Sequence, residues 1–158
     1  MLKKLIISSL LFSTSAIAGD NWFYSDETVD GVKSYNVYGI DNKLENALSI
    51  SCDDELKDPI VTIQVNKKLL NKESSIVSYT FDNKEKIRTD AYYLESNAWS
   101  NSDIIGKTVF TQIIDDLKKS KLVTIGFVRK NGESDFFEVN LAGSSEAINN
   151  LKGRCNLI

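Results

Sequence analysis

The segment Leu48-Ser49-Ile50-Ser51-Cys52 alternates apolar with polar side chains, and it ends at one of the two cysteines of this 158-residue chain. Successive side chains of a β-strand point to opposite faces of a sheet, so this alternation is typical of a strand with one buried face. Segments of similar character lie on both sides of it, at residues 33–38, 60–66, 76–82 and 87–94. The sequence therefore predicts a sheet-rich protein.

Beyond residue 100 the spacing of the apolar residues changes to that of a helix. Five of them fall on one helical face, which predicts a helix over 108–119 with Thr108 as its N-cap and two lysines at its negative C-terminal end. These five are Val109, Phe110, Ile113, Ile114 and Leu117. A second, shorter helix is predicted over 144–152, and Cys155 follows it directly.

A hairpin is predicted between the two helices, around Asn131-Gly132. This dipeptide is typical of a two-residue type I′ turn, because both central positions of that turn need positive φ. A two-residue loop would place Lys130 opposite Glu133, Phe127 opposite Phe136 and Gly126 opposite Phe137. The order of strands, helix, hairpin and helix predicts an α+β fold: one mainly antiparallel, β-sandwich-like domain with a mid-chain helix and a short C-terminal helix.

The first eighteen residues have the three-part layout of a secretory signal peptide. Lys3 and Lys4 give a positive start, an apolar run extends from Leu5 to Phe12, and Ala16-Ile17-Ala18 forms a small-x-small cleavage site. The run is too short to span a bilayer, and no later apolar run is long enough to do so. We therefore expect a signal peptide at 1–18, one exported domain at 19–158 and a periplasmic location. An amphipathic first helix is the alternative interpretation.

The two cysteines, Cys52 and Cys155, both lie in the predicted exported part. An even number of cysteines in an exported chain favours a disulfide. They are far apart in sequence, with no Cys-x-x-Cys spacing and no histidine beside either, which disfavours a reactive thiol pair. The sequence therefore predicts a structural Cys52–Cys155 bridge.

Composition excludes several classes of function. Cleavage after residue 18 would remove two lysines and no acid, leaving 17 basic and 22 acidic residues and a net charge of −5. An acidic chain disfavours nucleic acid as a partner, since that role needs clustered lysine and arginine. The chain has no histidine, which removes the commonest general base and the usual zinc ligand. We expect a protein that is not an enzyme and that uses no cofactor or metal.

Several sequence features within residues 46–156 occur in the same order as in a known family. They are the strand ending at Cys52, the strand Val77–Asp82, Trp99-Ser100, the Val109-Phe110 helix, Gly132 with Phe136-Phe137, the segment 141–147, and the closing Cys155. In this the chain resembles the periplasmic VasI-like (TagO-type) proteins associated with type VI secretion, and related small exported proteins of Gram-negative bacteria and their phages. The resemblance implies a non-enzymatic accessory protein that contacts another envelope or secretion-system protein.

The segment 88–100 is the densest in aromatic and polar side chains. Tyrosine and tryptophan offer a large rigid area with a polar tip, which suits protein recognition. We therefore predict a partner-binding patch with Tyr92, Tyr93 and Trp99 as anchors and with Arg88 and Asp90 as polar contacts. The alternative is that one tyrosine and Trp99 cover the core while the others are merely solvated.

Two other functions stay open from the sequence. The same small exported form would suit a phage or prophage protein that inhibits an envelope target, either to exclude a second phage or to block a wall hydrolase. A carboxylate-dependent hydrolase is a more remote alternative, because two carboxyl groups suffice for glycosidase chemistry. Its pair would come from Asp82, Asp90, Glu95 or Asp103.

Overall fold

The computed structural model describes residues 21–66, 74–94 and 96–157, so the predicted signal peptide lies outside the described residues. The strands are β1 (Trp22–Val29), β2 (Val32–Ile40), β3 (Ala47–Asp53), β4 (Ile60–Gln64), β5 (Ser74–Phe81), β6 (Ile87–Leu94), β7 (Asn97–Asn101), β8 (Leu122–Val128) and β9 (Ser134–Asn140). The helices are α1 (Ser102–Ile105), α2 (Lys107–Lys119) and α3 (Ser144–Asn149). The predicted α+β class is confirmed.

All nine strands belong to one antiparallel sheet, in the order β1-β2-β3-β4-β7-β6-β5-β8-β9. The sheet bends until its two ends meet, which makes it sandwich-like. The indole Nε1 of Trp22 on β1 donates to the carbonyl of Asn140 at the end of β9, at 2.8 Å. Gly39 on β2 lies against Val139 of β9, where a Cβ atom would come within 2.8 Å of the valine side chain.

The concave, inner face of this sheet and the two longer helices enclose the core. Inner side chains alternate with outer ones along β3, β4, β6, β7 and β8, as the pattern at 48–52 predicts, and Leu48, Ile50 and Cys52 are all buried. Helix α2 contributes the apolar face that its spacing predicts. Its buried residues are Phe110, Ile113, Ile114 and Leu117.

The ends of the helices differ from the prediction. Helix α2 begins at Lys107 and its N-cap is Gly106, so Thr108 lies within the first turn and the prediction of a Thr108 cap is wrong. Helix α3 ends at Asn149 rather than at residue 152, because the next hydrogen bonds join residues three apart and tighten the chain. The tightened segment leads into the bridge from Cys155 to Cys52, which is confirmed with a Cα–Cα distance of 5.7 Å.

The hairpin of β8 and β9 exists, but its predicted register is wrong by one residue. Gly126 pairs with Phe136, and Arg129 donates its N–H to the carbonyl of Glu133 at 2.8 Å, which leaves a three-residue loop. Gly132 has a φ of +85°, whereas Asn131 does not adopt a positive φ. A type I′ turn is therefore not formed; a single left-handed glycine after a tight turn gives the longer loop instead. The longer loop turns Phe136 to the outside of the sheet.

Candidate protein-binding site

Strand β6 carries most of the predicted partner-binding patch. Arg88, Asp90 and Tyr92 are all exposed and share its outer face, together with the exposed Leu94. The alternation of the strand is regular because the inner positions between them are small or apolar and fit the core. The strand therefore brings three of the five predicted residues together on one face.

Tyr93 does not belong to that surface. It is 4% exposed, whereas its neighbour Tyr92 is 50% exposed. The Tyr93 hydroxyl donates to the main-chain carbonyl of Ile76 at 3.3 Å, which satisfies its polar tip inside the sheet. The prediction of Tyr93 as a surface anchor is corrected, because adjacent residues of one strand face opposite sides.

Trp99 joins the patch from the neighbouring strand β7. It pairs directly with Tyr92 in the antiparallel register, and the two ring centroids lie 5.1 Å apart at an interplanar angle of 33°. Trp99 is half-buried against its neighbours and leaves one side of the indole on the surface. Tilted aromatic pairs of this spacing are stabilising, so the two rings hold each other in place before any partner arrives.

The Tyr92–Trp99 pair is one end of a row of side chains that crosses the outer face. The registers of five successive strand pairs place these residues directly opposite one another. In order from β1 to β6 the row is Phe23, Tyr38, Ser49, Thr62, Trp99 and Tyr92. Phe23 and Tyr38 stack at 5.4 Å, so each end of the row holds an aromatic pair and the middle holds small hydroxyl side chains. We call these six residues the outer aromatic row.

Sequence reasoning missed Phe23 and Tyr38 as possible contact residues. Each lies in a segment that the sequence marks as aromatic or strand-like, but nothing in it shows that Phe23 shares a row with Trp99. The row exists because β7, which follows β6 in the chain, pairs with β4 on its other side. That pairing places β7 between β6, which directly precedes it in the chain, and β4, which lies more than thirty residues earlier.

Arg88 and Asp90 flank the row at the side of β5. Arg88 is paired with Ser78, and Asp90 is paired with Ile76, an apolar residue that is itself exposed. Within the described ranges neither Arg88 nor Asp90 forms an ion pair with another side chain. A cation and an anion are thus available beside an aromatic surface, which is the mixture that protein interfaces favour.

Two of the four carboxylates of the hydrolase alternative, Asp82 and Asp90, lie too far apart to form a catalytic pair. Asp82 follows β5 and accepts hydrogen bonds from the N–H groups of Lys121 and Leu122, each at 3.0 Å, so its carboxylate fixes the start of β8. Asp90 lies opposite Ile76, six residues from Asp82 along β5 and hence about 20 Å away. Paired catalytic carboxylates lie at most about 10 Å apart. Glu95 lies outside the described residues.

No group of three or more histidine, cysteine, aspartate or glutamate side chains in the described ranges is placed to hold a metal ion. No helix there has the length and apolar character needed to cross a membrane.

Comparison with known proteins identifies a family. The family model described as YfjT matches residues 20–148, which is most of the chain and includes every described strand of the sheet. The chain therefore belongs to the YfjT family. No curated protein and no solved structure matches it. The resemblance to the VasI-like proteins is not tested by these comparisons and stays a prediction.

Proposed function

We propose that this YfjT-family protein is a non-enzymatic accessory protein of the periplasm, and that it acts by contacting another envelope or secretion-system protein. The predicted signal peptide at 1–18 supports export. The Cys52–Cys155 disulfide supports the same compartment, because structural disulfides form and persist in oxidising environments.

The outer aromatic row is the observation that carries the proposal. Its Tyr92–Trp99 end lies beside Leu94 and Ile76, two apolar side chains that are more than half exposed. Tyrosine, tryptophan and arginine dominate the residues that lose most affinity on truncation at protein interfaces. Contiguous exposed apolar surface of this kind is typical of an interaction site, since it lowers solubility unless a partner covers it.

The size of the row also supports a protein partner. From β1 to β6 it crosses five strand spacings of about 4.8 Å, and hence about 24 Å. A specific interface of standard size buries about 800 Å² on each partner, which corresponds to a patch of similar width. The serine and threonine in the middle of the row leave the surface low between its two aromatic pairs.

A capture experiment tests the proposal. The tagged protein would be expressed with its own leader, crosslinked in intact cells and purified from the periplasm, and captured proteins would be identified by mass spectrometry. The Tyr92→Ser/Trp99→Ser double variant is compared with Leu56→Ser, which removes an exposed apolar side chain from the turn after β3, away from the row. We expect one captured protein to be lost with the double variant and retained with the control.

Two outcomes would refute the proposal. Equal capture by both variants would show that the outer aromatic row is not the contact surface. Recovery of the protein from the cytosol after osmotic shock, with residues 1–18 still attached, would show that the location is wrong.

A further inference from the structure

A groove crosses the outer face on the far side of Arg88 from the outer aromatic row. It has a volume of about 470 Å³ and runs along β5 and β8. Its floor is made by small residues, Ser78 and Thr80 of β5 and Gly126 and Thr124 of β8. We call it the β5–β8 groove.

Gly126 is the reason that the groove exists. It pairs with Ser78 on one side and with Phe136 on the other, so a side chain at this position would stand in the middle of the floor. A Cβ atom on Gly126 would lie 2.5 Å from the hydroxyl oxygen of Ser78. The two strands therefore present backbone and hydroxyl groups at the floor.

The two walls of the groove differ in chemistry. Phe136 of β9 forms one wall and is 66% exposed, and Ile76 adds a second exposed apolar group at one end of the floor. The opposite wall is formed by Lys86, just before β6, and Arg88 of β6, both of which are exposed. A ligand in the groove would therefore meet an apolar side and a cationic side.

The cations of the groove are not neutralised by the acid beside them. Within the described residues neither Lys86 nor Arg88 forms an ion pair. Asp135, the acid of the lining, bonds instead to Arg129, whose Nε lies 2.7 Å from a carboxylate oxygen. Partial burial opposes ionisation of Asp135, but the hydrogen bonds from Arg129 and from the Phe136 N–H, together with nearby positive charge, outweigh it and hold the pKa of that carboxyl below its usual value. In an acidic protein, the groove thus presents two cations that form no ion pair with any described side chain.

The dimensions of the groove fit a single extended chain. Its walls stand on β6 and β9, three strand spacings or about 14 Å apart, and the floor from Ile76 to Thr80 is about 13 Å long. An extended peptide covers about 3.3 Å per residue, so about four residues span that length. The hydroxyl groups of Ser78 and Thr80 make no hydrogen bond to the described residues and are available to the main chain of such a peptide.

We propose that the β5–β8 groove binds an extended peptide segment that carries a carboxylate beside an apolar side chain. The carboxylate pairs with Arg88 and Lys86, while the apolar side chain lies against Phe136 and Ile76. Charge-assisted hydrogen bonds from arginine to carboxylate are the strongest available on such a surface. The proposal rests on the groove and not on the outer aromatic row. The two share no residue, although Arg88 and Ile76 of the groove lie beside the row.

Labelled heptapeptides test this proposal against the mature protein. The set carries Glu, Gln or Lys at the central position and Leu, Phe or Ser on both sides of it, and binding is measured by fluorescence anisotropy. We expect the Glu peptides with Leu or Phe neighbours to bind at least tenfold more tightly than the Gln and Lys peptides. Their affinity should fall as salt is raised, since exposed charges are screened.

Variants locate the binding. Lys86→Glu should weaken the Glu peptides at least tenfold, and Phe136→Ser should weaken them several-fold. Lys121→Glu and Leu56→Ser, which change exposed residues outside the groove, should not alter the affinity. Trp99→Ser should also leave it unchanged, so that a failure of the groove and a failure of the outer aromatic row are separate results.

Three results would overturn the proposal. The first is equal or absent binding of the Glu, Gln and Lys peptides. The second is an affinity that Lys86→Glu does not change. The third is binding of an anionic oligosaccharide, such as an oligogalacturonate, at the groove in place of the peptides.

Discussion

The inner and outer faces of the sheet use neighbouring residues for opposite purposes. Tyr93 is buried with its hydroxyl satisfied by a main-chain carbonyl, whereas Tyr92 stands on the surface against Trp99. On β9, Phe137 is 5% exposed and packs on Phe127, whereas Phe136 is 66% exposed beside the groove. Composition alone does not separate the members of either pair, and the face of the strand decides what each one does.

The difference between the faces predicts that stability and binding can be changed independently. Inner side chains lose packing and leave a cavity when they are truncated, so their free-energy cost is large. Outer side chains are already in water, and their truncation removes contact area from a partner rather than from the core. Matched substitutions on the two faces therefore show how much each face contributes to stability and how much to binding.

The largest effect is expected where the chain end is joined to the inner face. The Cys52–Cys155 bridge joins residues 103 positions apart. On the chain-entropy model, removing a cross-link that closes a loop of that length lowers the free energy of unfolding by about 4 to 5 kcal/mol. Cys52→Ser/Cys155→Ser, or a reductant, should lower the melting temperature by about 10 to 20 °C. Thermal unfolding followed by circular dichroism checks this, and an unchanged midpoint would contradict it.

The phenylalanine pair of β9 gives the next largest contrast. Phe137→Ala should lower the free energy of unfolding by about 3 to 5 kcal/mol, because it leaves a cavity between the sheet and its neighbours. Phe136→Ala should change it by less than about 0.5 kcal/mol, since the ring is mostly in water. Urea unfolding of both variants measures the two values. Similar losses would show that the outer face is covered by something else in the folded protein.

The two faces can also be compared by adding a methyl group at a glycine, with Gly39 on the inner face and Gly126 on the outer face. A Cβ atom on Gly39, on the inner face, would lie 2.6 Å from the indole of Trp22 and 2.8 Å from Val139, both of which are held in the core. Gly39→Ala should therefore cost about 1 to 3 kcal/mol, as overpacking does.

Gly126→Ala provides the outer-face counterpart. The added atom meets mainly the hydroxyl of Ser78, which can rotate away, so the cost should be smaller than at Gly39. Ser78→Ala/Gly126→Ala removes that contact and should recover part of any loss. Equal destabilisation at both glycines, measured by urea unfolding, would contradict the assignment of Gly126 to an open floor.

Local patterns in the sequence predict much of this fold. The alternation at 48–52 and the apolar spacing at 109–117 correctly give a strand and a helix, because each depends on residues a few positions apart. Asp30-Gly31 is a further local signal of a turn. Both residues have positive φ, as a type I′ turn requires, and they join β1 to β2.

The features that the sequence does not predict depend on distant pairing. Strand β7 has asparagine at both ends and a weak pattern of its own, and it is held by β4 on one side and β6 on the other. The same pairing creates the outer aromatic row. The β5–β8 groove likewise needs two strands more than forty residues apart to lie side by side. Residue type suggests Tyr92 and Trp99 as contact residues, but it does not show which side chains lie next to them in the folded sheet.

The smallest effect is expected from Asp41, a buried carboxylate at the turn after β2. One of its oxygens accepts from the side-chain amide of Asn46 at 2.6 Å, and the other accepts from the N–H of Glu45 at 3.0 Å. Burial opposes ionisation of Asp41, but these hydrogen bonds outweigh it and hold its pKa below the usual value. Because the pKa is lower in the folded state, the stabilisation is complete above the unfolded pKa of about 4 and is lost as pH falls through the folded pKa.

Asp41→Asn should therefore cost about 1 kcal/mol at pH 7, because the charged acceptor is replaced by a neutral one. The difference from the unchanged protein should shrink as the pH falls below about 4, since the native carboxyl is then also neutral. Asp54→Asn is the control, because that carboxylate is exposed and accepts one main-chain N–H. Urea unfolding at pH 7 and at pH 3 compares them. A cost at Asp41 that does not change with pH would mean that shape and hydrogen-bond geometry, rather than charge, fix this turn.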